Sequence, residues 1–324
     1  MFRMIQCFLS VIVFLAAFVS DGIAATELRL LYPSFAASWA TTWIAKEAGY
    51  FTAEALDVEL IRVGGSTRMV AAMLGGSASM IQAGAPAALA ATSAGGDVVI
   101  IAATGKVSTF HLMARPEIKE PSELKGKKAG ITTFGSTSDQ VVRLALKHFG
   151  LEASKDVAIL TFGAQPEVFA ALQSGAIQVA ALSYPIYAQA AKLGMRELVK
   201  FSDLGFEDIN GTVMTTRSFL ARQRDTALRF MRAFIRGTHR YRTDKKFSKR
   251  VLGKYGKIAD DEILEGAWQD YAPTIQKVPR PSLRAIQFLI ENQFKPPLPK
   301  PENFVDTSLV DQLEKSGFID SVYK

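Results

Sequence analysis

Short apolar runs of strand length alternate with longer stretches of helical periodicity, and the alternation runs through the chain twice. In the first series, residues 28–32, 58–63, 79–82 and 98–103 read as strands. Between them, residues 39–48, 67–74 and the alanine-rich 86–93 read as helices. In the second series, residues 129–132, 157–162 and 179–183 are the strands, with helical patterns at 138–149, 166–174 and 185–193. A strand followed by a crossover helix and another strand pairs in parallel, so each series predicts a mostly parallel sheet covered by helices. Extended apolar segments at 109–114 and 211–216 bracket the second series, and the chain is mainly helical afterwards. The expected architecture is α/β: two lobes joined by a two-strand hinge. Residues 25–110 begin lobe 1, residues 111–210 form lobe 2, and residues 211–324 return to lobe 1.

The first residues point to export. Arg3 gives a positive start, and residues 8–19 are apolar apart from Ser10. Asp21-Gly22-Ile23-Ala24-Ala25 then supplies small residues for cleavage. That pattern fits a cleaved secretory signal over residues 1–24 better than a retained anchor. The single cysteine, Cys7, lies inside this segment. Cleavage would leave a chain with no disulfide, thiol nucleophile or thiolate ligand, and a chain of this length can bury a sufficient core without disulfides.

The formal net charge of +7 raises the question of nucleic acid. Much of the excess lies between Arg217 and Lys257, where Arg229, Arg232, Arg236 and Arg240 recur at helical spacing opposite an apolar stripe of Leu228, Met231 and Ile235. This reads as a surface helix with a solvated basic face, not as a nucleic-acid interface. The three histidines, His111, His148 and His239, have no metal-ligand spacing, and no nucleotide or nucleophile-elbow motif is present. The carboxylates Asp260-Asp261-Glu262 read as solvated. No metal, cofactor or catalytic residue is expected.

In open parallel sheets, ligands bind beyond the carboxyl ends of the strands. Five loops there carry polar or aromatic residues: Tyr32, Ser34 and Phe35, with Ser38 and Trp39 opening the next helix; Ser66 and Thr67; Gly84, Ala85 and Pro86; Gly135, Ser136, Thr137 and Ser138; and Tyr184. Serine and threonine cap helix N-termini and offer hydroxyls, while the free amides there favour anions. Capping alone would account for any one loop, but such loops in both lobes suggest a shared cleft. Trp39 and Trp43 fall one turn apart; such a pair commonly packs in a core, although Trp39 is near enough to a strand end to line a cleft. Arg68 stands beside the Gly-Ser-Thr loop, either to pair an anion or to face solvent.

Several segments along the chain resemble the nitrate/sulfonate/taurine class of transporter-associated binding proteins, related to the NMT1/THI5-like group. They are Trp43-Ile-Ala-Lys-Glu-Ala-Gly-Tyr-Phe51, Ala55-Leu-Asp-Val-Glu-Leu60, Gly64-Gly-Ser-Thr-Arg68, Ala72-Met-Leu-Gly-Gly76 and Gly84-Ala-Pro86. Lobe 2 adds Leu124-Lys-Gly-Lys-Lys-Ala-Gly130, Gly135-Ser-Thr-Ser138 and Ala171-Leu-Gln-Ser-Gly175. The resemblance implies a type II periplasmic-binding-protein fold, probing the periplasm as the monomeric solute-binding component of an ABC importer. Its partners would be a membrane permease and that permease's ATPase. It also implies alternatives: a pyrimidine-binding or pyrimidine-synthesising protein, or a ligand-sensing subunit of a membrane receptor. The pyrimidine synthases carry a cysteine-rich motif and the related desulfinases a cysteine nucleophile; the chain beyond residue 24 has neither. The aromatic residues in the loops favour a small organic anion of sulfonate or carboxylate type.

Overall fold

The computed structural model describes residues 25–205 and 207–324; the signal segment assigned to residues 1–24 lies outside them. Strands β1 (Thr26–Tyr32), β2 (Leu56–Arg62), β3 (Met80–Gln82) and β4 (Val99–Ala102) belong to one sheet. Strands β5 (Phe110–Ala114), β6 (Lys128–Ile131), β7 (Ala158–Thr161), β8 (Val179–Ser183) and β9 (Arg196–Lys200) form a second, and β10 (Val213–Thr215) returns to the first. The orders are β2-β1-β3-β10-β4 and β7-β6-β8-β5-β9. They are the same pattern. In each, parallel strands flank one antiparallel strand: Met214 of β10 lies opposite Ile81, and Leu112 of β5 opposite Ala181.

The antiparallel strand has a simple cause. The parallel strands of both lobes end on the side where the lobes meet. A chain crossing between lobes therefore enters the new sheet from its carboxyl edge and must run against its neighbours. β5 follows the first crossing and β10 the second. The extended segments at 109–114 and 211–216 are thus sheet strands rather than the hinge itself. The hinge is the stretch just before each. Thr104 and Gly105 donate backbone N–H groups to Asn210 O (3.1 and 3.2 Å), Asn210 N–H returns to Gly105 O (3.1 Å), and Asp208 N–H reaches Lys106 O (2.9 Å). The Tyr271 hydroxyl ties both crossings, 2.6 Å from Thr104 Oγ1 and donating to Asn210 Oδ1 at 2.9 Å.

Central strands β3 and β8 are buried along their whole length, as expected where helices cover both faces, and so is the edge strand β4, whose outer side is bridged by Val305. β9 was not foreseen. Its sequence, Arg196-Glu-Leu-Val-Lys200, is charged and largely exposed because it is an edge strand, and charge at an edge discourages pairing with another chain.

After β10 the chain is helical and packs back on the first sheet. The longest helix, Arg224–Thr243, buries Phe230, Phe234 and Tyr241 against the helix Ala40–Glu47 and its neighbours. Its arginines correct the solvated-face expectation. Arg229 donates to the carbonyls of Glu54 and Ala55 (both 3.1 Å), while Arg232 and Arg236 clamp the two oxygens of the buried Glu54 carboxylate at 2.7 and 3.0 Å. The helical spacing is that of a structural clamp closing the turn before β2. Among the described residues, no helix is long and apolar enough to cross a membrane.

Candidate functional site

The carboxyl ends of both sheets meet at a cavity of about 50 Å³. Ser34, Ser38 and Trp39 reach it from the loop after β1, Ser66 from the loop after β2, and Gly84 from the loop after β3. The second lobe contributes Thr132, Ser136, Thr137 and Ser138 after β6, Gln165 after β7, and Ser183 at the end of β8. Thr109 and Asn210 add the hinge. Among the described residues, no lysine, arginine, aspartate or glutamate lines the cavity. Its polarity comes from neutral hydroxyls, amides and the first turns of helices Ser66–Leu74, Ala85–Ser93, Thr137–His148 and Gln165–Ser174.

Hydrogen bonds fix what these groups can offer. Gly84 N–H donates to Ser66 Oγ at 2.9 Å, leaving the serine proton for another acceptor. Thr132, Ser136 and Ser138 form a triangle of hydroxyls with edges of 2.9 to 3.0 Å. Three hydroxyls with three protons can satisfy one another, and any one can turn toward a ligand. Ser136 also caps its helix, accepting from Asp139 N–H at 3.4 Å. The Asp139 carboxylate is held away by Gly135 N–H (2.9 Å) and Arg143 Nε (2.7 Å). Ser183 donates both its N–H and Oγ–H to Gln165 Oε1 at 3.1 Å, leaving the Gln165 amide nitrogen as the free donor. The site is therefore rich in neutral donors.

Beside this polar cavity lies an annex of about 180 Å³, reached past Ser34, Gln165 and Ser183. Phe35, Pro166, Phe169, Tyr184, Pro185 and Ile186 make it largely apolar. Burial, more than the nearby Asp270 carboxylate, raises the Tyr184 phenol above its ordinary range, so the ring stays neutral.

The lobes touch across the cleft. Thr67 Oγ1 donates to Phe134 O at 2.9 Å, and Lys192 of the second lobe pairs with Glu262 (3.0 Å) and Asp260 (3.5 Å), which gives that carboxylate cluster an interlobe partner. Tyr187 OH donates to Asp270 Oδ1 at 3.4 Å, and burial raises the Asp270 carboxyl above the usual range. Gly84 lies so close to Thr137 that a side chain there would overlap its hydroxyl; Gly266 lies equally close to the Tyr184 hydroxyl.

Of the residues singled out in the sequence, Ser34, Ser38, Trp39, Ser66, Gly84, Ser136, Thr137 and Ser138 surround the polar cavity. Phe35 and Tyr184 line the annex. Thr67 is at the lobe contact, and Pro86 and Gly135 face a separate interlobe cavity. Ala85 is fully buried in the first turn of its helix, and Tyr32 packs in the core, edge-on to Trp43 at 5.4 Å. The tryptophans divide: Trp43 stacks on Tyr255 at 5.0 Å in the core, whereas Trp39 reaches the cleft. Arg68 is exposed, beside Gly163, and does not line the cavity. Thr109, Thr132, Gln165, Ser183 and Asn210 were not singled out. Thr132, Gln165 and Ser183 sit at the ends or starts of the recognised strands and helices, so strand-end position was the available signal; Thr109 opens the extended segment recognised at 109–114 and Asn210 directly precedes the one at 211–216, but nothing local marks either as lining a cavity.

A family model described as NMT1/THI5 like matches residues 37–244. The chain belongs to the NMT1/THI5-like family. No curated protein matches it in sequence. Among solved structures it is similar to the periplasmic nitrate-binding protein NrtA from Synechocystis PCC 6803, at 14% identity and TM-score 0.77, covering 90% of this chain and 89% of that one. It is also similar to the alkanesulfonate-binding protein SsuA from Xanthomonas axonopodis pv. citri bound to MOPS, at 17% identity and TM-score 0.70, covering 82% and 90%. The desulfurization enzyme DszB shares the architecture too, at 14% identity and TM-score 0.65, covering 90% and 99%. These likenesses establish the fold: this NMT1/THI5-like chain has the bilobal periplasmic-binding-protein architecture, with the polar cavity between its lobes.

Proposed function

We propose that the protein is exported to the periplasm and serves, as a monomer, as the solute-binding component of an ABC importer. It captures a small organic anion of sulfonate or carboxylate type and presents it to a membrane permease driven by its ATPase. The observation that carries this reading is the pairing of an uncharged, donor-rich cavity at four helix N-termini with an adjoining apolar annex. Neutral hydroxyls and helix-terminal amides favour a compact anionic head without demanding a counter-charge. The annex suits an apolar tail. Ligand contacts from both lobes are complete only in the closed form, so binding shifts the population toward it, and a permease can read that state.

Structural relatives named as sulfonate- and nitrate-binding proteins support a transport role. A bare inorganic anion would leave the annex unused. The similarity to a desulfurization enzyme keeps catalysis as the second reading. Against it, among the described residues the polar cavity is lined by no cysteine, histidine or carboxylate to act as nucleophile or base, and the one cysteine of the chain is Cys7.

Thermal-shift screening with alkyl and aryl sulfonates, aromatic carboxylates, nitrate and neutral pyrimidines tests the proposal. A ligand at a hundredfold its dissociation constant stabilises by about 2.7 kcal/mol. Shifts with sulfonates or carboxylates are expected. A shift with nitrate or a pyrimidine alone would exclude the organic-anion reading, and chemical conversion of a bound sulfonate would exclude the transport reading.

A further inference from the structure

The polar cavity and the annex share Ser34, Gln165 and Ser183 in their walls, so a ligand spanning both needs no long linker between head and tail. The two spaces set different conditions. A charge entering the polar cavity meets hydroxyls and amides but, among the described residues, no cation. One delocalised negative charge is well served by such donors. A second would stand without a counter-charge in a space of about 50 Å³. The head is therefore a monoanion.

The annex sets the tail. Its volume is about 180 Å³, and an apolar cavity of about 150 Å³ holds one benzene molecule. There is room for one six-membered ring and little beyond it. Each half of the slot is held within its own lobe. On the first lobe, Phe35 lies under the Arg62 guanidinium at 5.1 Å. On the second, Tyr184 packs edge-on to Tyr187 at 5.2 Å, and Tyr187 stacks on His111 at 3.6 Å. A slot between fixed walls favours a rigid ligand, because a flexible chain loses rotational freedom on entering. Phe35, Phe169 and Tyr184 also offer a ring the offset and edge-on contacts that aromatic groups prefer. We propose that the cleft takes a single-ring aromatic monoanion of benzenesulfonate or benzoate type, its acid group bonded to the ring directly or through one carbon. This rests on the cleft reading above and narrows it.

Calorimetric titration with methyl, hexyl, phenyl and 2-naphthyl sulfonates, and with the same four carboxylates, tests it. In the series that binds more tightly, the phenyl compound is expected to exceed the methyl one by about tenfold or more. It is also expected to exceed the hexyl compound, which has the same number of tail carbons; a hexyl compound that binds equally or more tightly overturns the ring. The naphthyl compound is expected to gain no more than about threefold over phenyl, since the annex has no room for a second ring; a larger gain overturns the size limit. Benzene-1,3-disulfonate and isophthalate are expected to bind about tenfold or more weakly than their singly charged parents, and equal binding overturns the monoanion. Phe169→Ala, which removes one wall, and Ile186→Trp, which fills the space, are each expected to shrink the phenyl-to-methyl preference about fivefold or more. Circular dichroism confirms that each variant is folded, and either one suffices; a preference unchanged in both takes the ring out of the annex. Methyl compounds that bind as tightly as phenyl remove this inference and leave the proposed function standing. A protein that binds none of these anions loses both.

Discussion

Gly84→Ala separates closure from folding. The Gly84 backbone, at φ −66° and ψ 133°, lies in a region open to any residue, so alanine meets no intrinsic strain. Space is the difficulty. A Cβ at residue 84 would overlap the Thr137 hydroxyl oxygen of the other lobe and lie 3.2 Å from both Thr137 Cβ and Ser66 Oγ. The Ser66 contact, within one lobe, yields to a shift of a few tenths of an ångström. The Thr137 contact crosses the cleft and disappears on opening. Overpacking of this kind costs about 1–3 kcal/mol. Charged to the closed state alone, that cost weakens ligand binding about 5- to 150-fold. The open protein gains up to about 1 kcal/mol from the lost chain freedom of glycine. The expected result is weaker binding by calorimetry, with a ligand-free melting temperature equal to or above the parent's. In a Thr137→Ala background, the further cost of Gly84→Ala shrinks, as a double-mutant cycle would show. Unchanged affinity, or a fall in ligand-free stability matching the fall in affinity, would refute the reasoning.

Three further outcomes follow from the same structure. Replacing Ser136 and Thr137 together by alanine weakens ligand binding by more than it lowers ligand-free stability; equal losses in titration and denaturation would reduce both residues to helix caps. Glu54→Gln leaves Arg232 and Arg236 without their buried carboxylate and lowers stability by about 1–3 kcal/mol in urea unfolding, a range discounted for the partly exposed guanidinium groups; no loss would mean the clamp is decorative. Asp208, buried in the hinge, has its carboxyl raised by burial, against the hydrogen bond it accepts from Ile209 N–H at 2.8 Å. A folded-state value above the unfolded one means the folded protein binds more protons between the two, so this group lowers stability as pH rises through that window. Asp208→Asn removes the penalty and stabilises more at pH 7 than at pH 3; an equal effect at both would contradict the assignment.

The sequence alone carried a large share of the fold, because alternating strands and crossover helices are local patterns written in residue spacing. Residues 179–183 could be read as a strand from their apolar run alone. β9 was illegible for the converse reason: an edge strand is half solvated, and Arg196-Glu-Leu-Val-Lys200 has neither a buried run nor clean alternation. The polar loops at helix starts were legible too, although only Ser136 caps its helix: Ser66 and Thr137 are first helical residues, and the helix of Ser66 starts from Gly65 with no side-chain cap. What residue spacing determined was two lobes, their order, and the polar loops at their strand ends. Only the tertiary structure decided which loops face one another. Trp39 and Trp43 share a spacing, yet one reaches the cleft and the other the core; Tyr32 ends a strand, yet packs inward. The arginines at helical spacing had the look of a solvated face until Glu54, far away in sequence, arrived to pair them. Gln165 and Asn210 line the cavity through partners in other elements, and Lys147 opposes Asn292 only once the lobes meet. Each of these depends on groups brought together by packing over long sequence separations, and no local propensity encodes such encounters.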